Sequence, residues 1–220
     1  MKYPFFIVLL LSLVSCSVSR VIVDKPVIFD EERIALTKEY MADRYGLESD
    51  SAAITPKMIV LHWTAIPTFK GSFDVFYNSR LPSWREQIQT ASSLNVSSHF
   101  LVDRDGTIYR LMPETLMGRH VIGLNHIALG IENVGGLGNR KLNRAQLKSN
   151  IWLVEYLKSK YNIEYLIGHF EYTNFVDHPY WLEIDDSYRT EKTDPGKRFL
   201  RKVRRATKKL NFKPIPPKIN

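Results

Sequence analysis

Cysteine is all but missing: Cys16 is the only one in 220 residues. No intramolecular disulfide framework can therefore staple this chain. The local signatures of several enzyme classes are absent as well. There is no His-Glu-x-x-His, no Cys-x-x-Cys and no Gly-x-Ser-x-Gly, which removes the helix-borne zinc pair, the dithiol centre and the nucleophile elbow. No Gly/Ser/Pro-rich stretch interrupts the middle, and no segment repeats at a fixed period, so neither linker-joined domains nor a solenoid is expected. No apolar run reaches the roughly 20 residues that cross a bilayer. Acidic residues are missing from 197 to 220.

What is present is enough for one globular domain with appendages. Hydrophobic residues make up 44% and aromatics 12%, which argues against disorder. The first fifteen residues read as an export signal: Lys2 gives a positive start, and Pro4 to Val14 form a short apolar stretch. The segment ends in Leu13-Val14-Ser15-Cys16. This resembles the bacterial lipobox, which implies cleavage before Cys16 and lipidation of that residue. An ordinary signal peptide cut nearby is the alternative. Ser17, rather than aspartate, follows the cysteine. That points to an envelope lipoprotein anchored in the outer membrane and facing the periplasm, where the organism has one.

The formal charge of +8 becomes +7 once Lys2 is removed with residues 1–15. Much of the excess is C-terminal: Lys197, Arg198, Arg201, Lys202, Arg204, Arg205, Lys208, Lys209 and Lys213. An exported protein rarely meets nucleic acid, so none is expected as a partner. Attraction to an anionic wall or lipid surface is one reading; the solvated face of an amphipathic helix is the other.

Periodicity then divides the chain. Residues 16–29 read as a tether. Asp30 caps a helix that Gly46 stops. Met58 to Leu61 is a short buried strand, and Trp84 to Ser92 reads as helical. His99 to Val102 and Thr107 to Leu111 flank an Asp/Gly turn, the pattern of a hairpin. Ala128 to Val134 is a strand. Asn143 caps a helix from Arg144 to about Tyr161, and Tyr165 to Gly168 is a strand ending at His169. Pro195 opens a last helix with Phe199, Leu200, Val203, Ala206 and Leu210 as its apolar stripe. Alternating strands and helices predict an α/β fold (α+β mixed) with a central mixed β-sheet flanked by helices. The domain is expected to span 30–212, with a tail over 213–220.

Six histidines are present: His62, His99, His120, His126, His169 and His178. His62 and His169 each follow an apolar strand directly. If those strands are neighbours, two imidazoles meet at one sheet edge, where sites of such folds gather. Three protein ligands and one open position would make a catalytic zinc site. Asp194 can be the third ligand, although it can equally cap the last helix. Glu132 sits on an apolar strand, where alternation alone would turn it to solvent.

The motifs, taken together, resemble the type 2 N-acetylmuramoyl-L-alanine amidase family, which shares its fold with peptidoglycan recognition proteins. They lie between about Met58 and Phe199 and come in the family's order: Ile59-Val60-Leu61-His62-Trp63-Thr64-Ala65, Val96 to Tyr109, Leu129-Gly130-Ile131-Glu132-Asn133-Val134, Ile167-Gly168-His169, and Lys192-Thr193-Asp194-Pro195-Gly196. The resemblance implies zinc held by His62, His169 and Asp194. It implies Glu132 as general base and Lys192 as the cation steadying the oxyanion. It further implies His120 and Asn125 as substrate contacts, and His99 as a structural or supporting histidine. His126 is read as surface. The implied reaction is hydrolysis of the amide between N-acetylmuramic acid and L-alanine in peptidoglycan or its fragments. A non-catalytic peptidoglycan-binding lipoprotein, or a zinc hydrolase of another amide, remains open at this point. One departure stands out. His169 and Asp194 are 25 positions apart, well beyond the spacing in compact members. The added segment, Tyr172 to Glu191, carries Phe175, Tyr180, Trp181 and Tyr188, and also Asp177 and His178 as rival ligands. Its aromatics can either stack on sugar rings at the cleft rim or form a satellite core.

Overall fold

The computed structural model describes residues 20–83, 85 and 91–218. The expected signal peptide and Cys16 lie outside the described residues, as do positions 84 and 86–90 of the expected helix 84–92.

Six strands form one mixed sheet: β1 (Ile22–Asp24), β2 (Met58–Leu61), β3 (Phe100–Val102), β4 (Ile108–Arg110), β5 (Ala128–Asn133) and β6 (Tyr165–Gly168), in the order β1-β4-β3-β5-β2-β6. Only β3 and β4 are antiparallel, being the two arms of the Asp/Gly hairpin. The helices are α1 (Glu31–Tyr45), α2 (Phe69–Tyr77), α3 (Arg144–Lys160) and α4 (Lys197–Ala206). This is the α/β architecture that the pattern implied.

The helix ends follow from their capping residues. The Asp30 side chain accepts from the Arg33 amide at the start of α1, and Gly46 ends it in the left-handed conformation at φ 61°. Asn143 and Gln146 form a reciprocal capping box on α3. α4 starts two residues later than Pro195; its N-cap is Gly196, with no side chain capping it. Asp194 is thereby released from the capping role that competed for its oxygens.

β2 is buried along its whole length, because parallel central strands are covered on both faces. Ile59 and Leu61 pack with Leu153, Val154, Phe199 and Val203 from α3 and α4. Met58 and Val60 pack on the opposite side with Val121, Tyr172 and Phe175.

Three segments depart from the sequence reading. The tether contains β1, which pairs in parallel with β4, Ile22 opposite Ile108, and Val27 is 4% exposed. Ordered structure therefore starts well before residue 30, because an unpaired edge of β4 recruits the short β-branched run. The C-terminal tail is also held. Lys213 N donates to the Glu164 carbonyl at 2.8 Å, Asn174 Nδ2 donates to the Pro216 carbonyl at 2.8 Å, and Ile215 packs on the second core cluster. Ala206, assigned to the apolar stripe of α4, is exposed.

Candidate active site

Strand register builds the site. Leu61 stands opposite both Ile131 and Gly168. The next residue on each strand is therefore in one row at the carboxyl edge: His62, Glu132 and His169. His62 N donates to the Ile131 carbonyl at 2.8 Å, which extends the ladder one step and fixes the first of them. Asp194 arrives from the segment before α4, and Phe170 N donates to its carbonyl at 3.1 Å.

His62 Nδ1, His169 Nδ1 and Asp194 Oδ2 form a triangle. The His62–His169 edge is 3.0 Å, the His62–Asp194 edge 3.2 Å and the His169–Asp194 edge 3.1 Å. Together the three residues form a group able to hold a metal ion. A tetrahedral zinc with bonds of about 2.0–2.2 Å has ligand edges of about 3.3–3.6 Å; the triangle is close to that.

The tautomers fit as well. His120 Nε2 lies 3.2 Å from the Ala128 carbonyl, which only accepts, so this nitrogen carries the proton. Burial, reinforced by the neighbouring His62, holds His120 well below the usual imidazole range, so it is neutral and its Nδ1 is bare. That nitrogen is 3.1 Å from His62 Nε2 and accepts its proton. With Nε2 engaged there, His62 Nδ1 is the nitrogen that faces His169 and Asp194. Half-buried His169 is neutral, its value lowered to about 4 by desolvation of the ring and then by His62. Asp194 stays ionised: burial works against it, but hydrogen bonds with His169 and His62 hold it well below the carboxylate range. Two imidazole nitrogens and one carboxylate oxygen are a donor set that zinc takes.

Glu132 is 9% exposed, and its Oε2 is buried with no hydrogen-bond partner among the described residues. Burial pushes its carboxyl up to about 7, with His62 pulling against this and Asp194 adding to it. It shares a cavity of about 760 Å³ with His62, His169, Asp194 and half-buried Lys192. Alternation alone would have turned Glu132 to water; β5 is covered on both faces, so the carboxylate meets the cavity instead.

The two expected substrate contacts, His120 and Asn125, both line the cavity, and both are also tied into the protein. His120 lines the cavity, but both its nitrogens are taken within the protein, as above. Asn125 Oδ1 accepts from the amides of His120 and Val121 at 2.9 and 2.8 Å, and its Nδ2 donates to Tyr45 Oη at 2.9 Å. Asn125 holds the loop that aims His120, and His120 aims His62. Gly130 makes room for this: a Cβ there would come within 2.9 Å of the His120 ring. Such partners behind a ligand typically contribute 10–100-fold to metal affinity. His120→Phe is accordingly expected to weaken zinc about 10–100-fold in a competition titration against a chromophoric chelator. Unchanged affinity would remove His120 from the relay.

His99 is fully buried, accepting from Gly130 N at 3.0 Å through Nδ1 and facing the Leu116 carbonyl at 2.9 Å through Nε2. This is a structural histidine. His126, read as surface, is half-buried against the Tyr45 ring, centroids 5.5 Å apart. The rival ligands stand apart. Asp177 is exposed. His178 accepts from Tyr180 N at 3.1 Å and lies 3.4 Å from Tyr165 Oη, near the opposite end of β6 from His169.

The aromatics of the added segment are buried or half-buried. Tyr172 and Phe175 are 1% and 0% exposed, and Trp181 stacks on Tyr172 with centroids 6.1 Å apart. Only Tyr188 among its aromatics lines the cavity. Its Oη accepts from Arg119 at 3.1 Å. Arg119 went unnoticed in the sequence. It is 4% exposed, donates to the Ser92 carbonyl at 3.2 Å and to that of Leu94, and carries the cavity wall. Nothing in a lone arginine before a histidine signals that role.

Comparison with known proteins agrees with this frame. The family model for N-acetylmuramoyl-L-alanine amidase matches residues 52–197, and the chain belongs to that family. It is 34% identical over 83 residues to the endolysin of Escherichia phage T7, covering 36% of this chain and 55% of that protein. It is 34% identical over 88 residues to peptidoglycan recognition protein 3 of Mus musculus, covering 37% of this chain and 24% of that protein. The matched regions thus span between about a quarter and about half of those relatives. Among solved structures, the N-acetylmuramoyl-L-alanine amidase LysC from Clostridium intestinale URNW superposes with a TM-score of 0.51 at 26% identity, over 89% of this chain and all of that one. Peptidoglycan recognition protein-LE, solved with tracheal cytotoxin, has the same fold at 18% identity and a TM-score of 0.51, over 90% and 96% of the two chains.

Proposed function

We propose that the protein is a zinc-dependent amidase that hydrolyses the bond between N-acetylmuramic acid and L-alanine in peptidoglycan or its fragments. The observation that carries the reading is the His62–His169–Asp194 triangle opening, with Glu132, into one cavity. Family membership supports the substrate class.

Zinc bound by the three side chains would supply Lewis-acid polarisation of the scissile carbonyl and acidify water beside it. Glu132 takes the proton of the attacking water on its unpartnered Oε2 and hands it to the departing L-alanine nitrogen. A value near 7 suits both halves of that transfer. The Lys192 ammonium faces the same cavity and stabilises the negative charge that grows on the carbonyl oxygen. Buried Tyr45 and Asn125, with half-buried His120, orient His62 through its Nε2. A non-catalytic binding module has no use for an orphaned buried carboxylate beside a complete donor set, so the hydrolase is preferred.

Incubation with a muropeptide, read by mass spectrometry, should release a peptide with a free L-alanine amine and an intact muramic acid. A strong chelator should abolish this, and one equivalent of zinc should restore it. Activity that survives verified zinc removal would overturn the mechanism. The N-terminal segment supports a place in the cell envelope, with the chain exported and lipidated on Cys16.

A further inference from the structure

The described structure begins at Arg20, whose Nη1 donates to Ser149 Oγ on α3 at 2.7 Å. Cys16 is four residues earlier. Four residues reach at most about 14 Å when fully extended. The strand β1 has consumed what read as a tether. A lipid on Cys16 would therefore hold the flank of α3 near the bilayer surface, and α4 packs beside α3.

That layer has an unusual charge distribution. On and after α4, Lys197, Arg198, Arg201, Lys202, Arg205 and Lys208 are all exposed, as are Arg144 and Lys148 on α3. None of these eight makes an ion pair or hydrogen bond through its side chain with another described residue. The two segments contribute one acid between them, Glu155, and Lys209 pairs with it at 3.2 Å. Unpaired cations on one layer repel each other, a cost that an anionic surface removes. Apolar groups accompany them. Val21, next to Arg20, is 71% exposed, and half-buried Trp152 and Tyr156 stack on α3 with ring centroids 5.5 Å apart. Tryptophan and tyrosine beside basic residues are the usual occupants of the headgroup region.

We infer that the outer face of α3 and α4 is a docking surface for anionic phospholipid headgroups. The inference takes its orientation from lipidation of Cys16. Its charge argument stands without it. The short reach keeps this layer near the headgroups, whose attraction for cations decays over roughly 8–10 Å. Docking there fixes the domain's orientation, so a lipid anchor and a polybasic face act as two signals on one surface.

The test uses a soluble chain starting at Ser17, which keeps every described residue, and sedimentation with vesicles of phosphatidylcholine alone or mixed with phosphatidylglycerol. Binding should require phosphatidylglycerol and weaken as salt is raised. Each basic residue at such a surface contributes about fivefold, so Arg198→Gln, Arg201→Gln, Lys202→Gln and Arg205→Gln together should lower partitioning by about 10²–10³-fold. An equal number of neutralisations elsewhere, Lys25→Gln, Lys38→Gln, Lys57→Gln and Lys70→Gln, should leave most of it. Melting temperatures of both variants verify the fold. Three results would overturn the proposal: no preference for phosphatidylglycerol, equal loss in the two variants, or α4-dependent binding to purified peptidoglycan without binding to vesicles. The mass of the N-terminal peptide from membrane-extracted protein tests the lipid separately. An unmodified Cys16 would sink the anchor, while vesicle binding would still decide the face.

Discussion

Glu132→Gln is expected to retain the fold and a full equivalent of zinc while turnover falls by roughly 10²–10⁴-fold, the usual contribution of a positioned general base. The substitution is close to isosteric. Glu132 Oε2 has no hydrogen-bond partner among the described residues, so the amide breaks no contact seen there. Neutralising the residue also removes a buried carboxylate that burial already disfavours, so stability should hold or rise. What the amide cannot do is take a proton. The pH profile carries the same signature with a definite sign. The base acts when ionised, and burial raises the carboxyl to about 7; kcat/KM should therefore climb as pH rises through that value and level off above it. The limb should vanish from the residual activity of the variant. Zinc content by elemental analysis, steady-state rates and the pH profile together check this. A variant within a few-fold of the parent would remove Glu132 from proton transfer, and loss of zinc would make it a ligand instead.

The parts of the fold that were legible in the sequence are those decided locally. Asp30, Gly46 and Asn143 mark helix ends through their own side chains or backbone freedom, and the Asp/Gly turn marks the hairpin. His62 and His169 were legible because each directly follows a short apolar strand; their meeting needed only that the strands be neighbours, which they are. The misread residues are those whose state is set by partners distant in the chain. Ile22–Asp24 is a strand only because β4 presents an edge to it. Glu132 faces a cavity because β5 is central, a property of sheet order rather than of the residues 128–133. The partners of His120, His62 just after β2 and the Ala128 carbonyl on β5, likewise lie beyond its local sequence. The aromatics of the added segment turned inward for a similar reason. Among the described residues, the cluster bearing Met58, Val60 and Ile167 includes none from α1 to α4, and Tyr172 and Phe175 supply cover there.

Asp194→Ala is expected to lose zinc and, with it, turnover to background, whereas His178→Ala should keep both. The contrast rests on position. Asp194 Oδ2 lies 3.1 and 3.2 Å from the two imidazole nitrogens, and its carboxylate is free of any capping duty on α4. Removing it leaves two nitrogen ligands where a stable catalytic zinc needs three protein ligands. His178 packs among Tyr165, Phe175 and Tyr180. Tyr165 begins β6 and His169 follows its end, so at a strand rise of about 3.3 Å per residue the two are separated by about 13 Å. Truncating His178 should therefore cost packing, seen as a lower melting temperature, without touching the metal. Asp194→Asn separates charge from shape: it keeps the volume and one carbonyl oxygen, so it should retain the fold but bind zinc more weakly than the parent. Zinc per chain by elemental analysis, measured beside the melting temperature for all three variants, decides the matter. If His178→Ala emptied the site while Asp194→Ala kept its zinc, the third ligand would belong to the added segment.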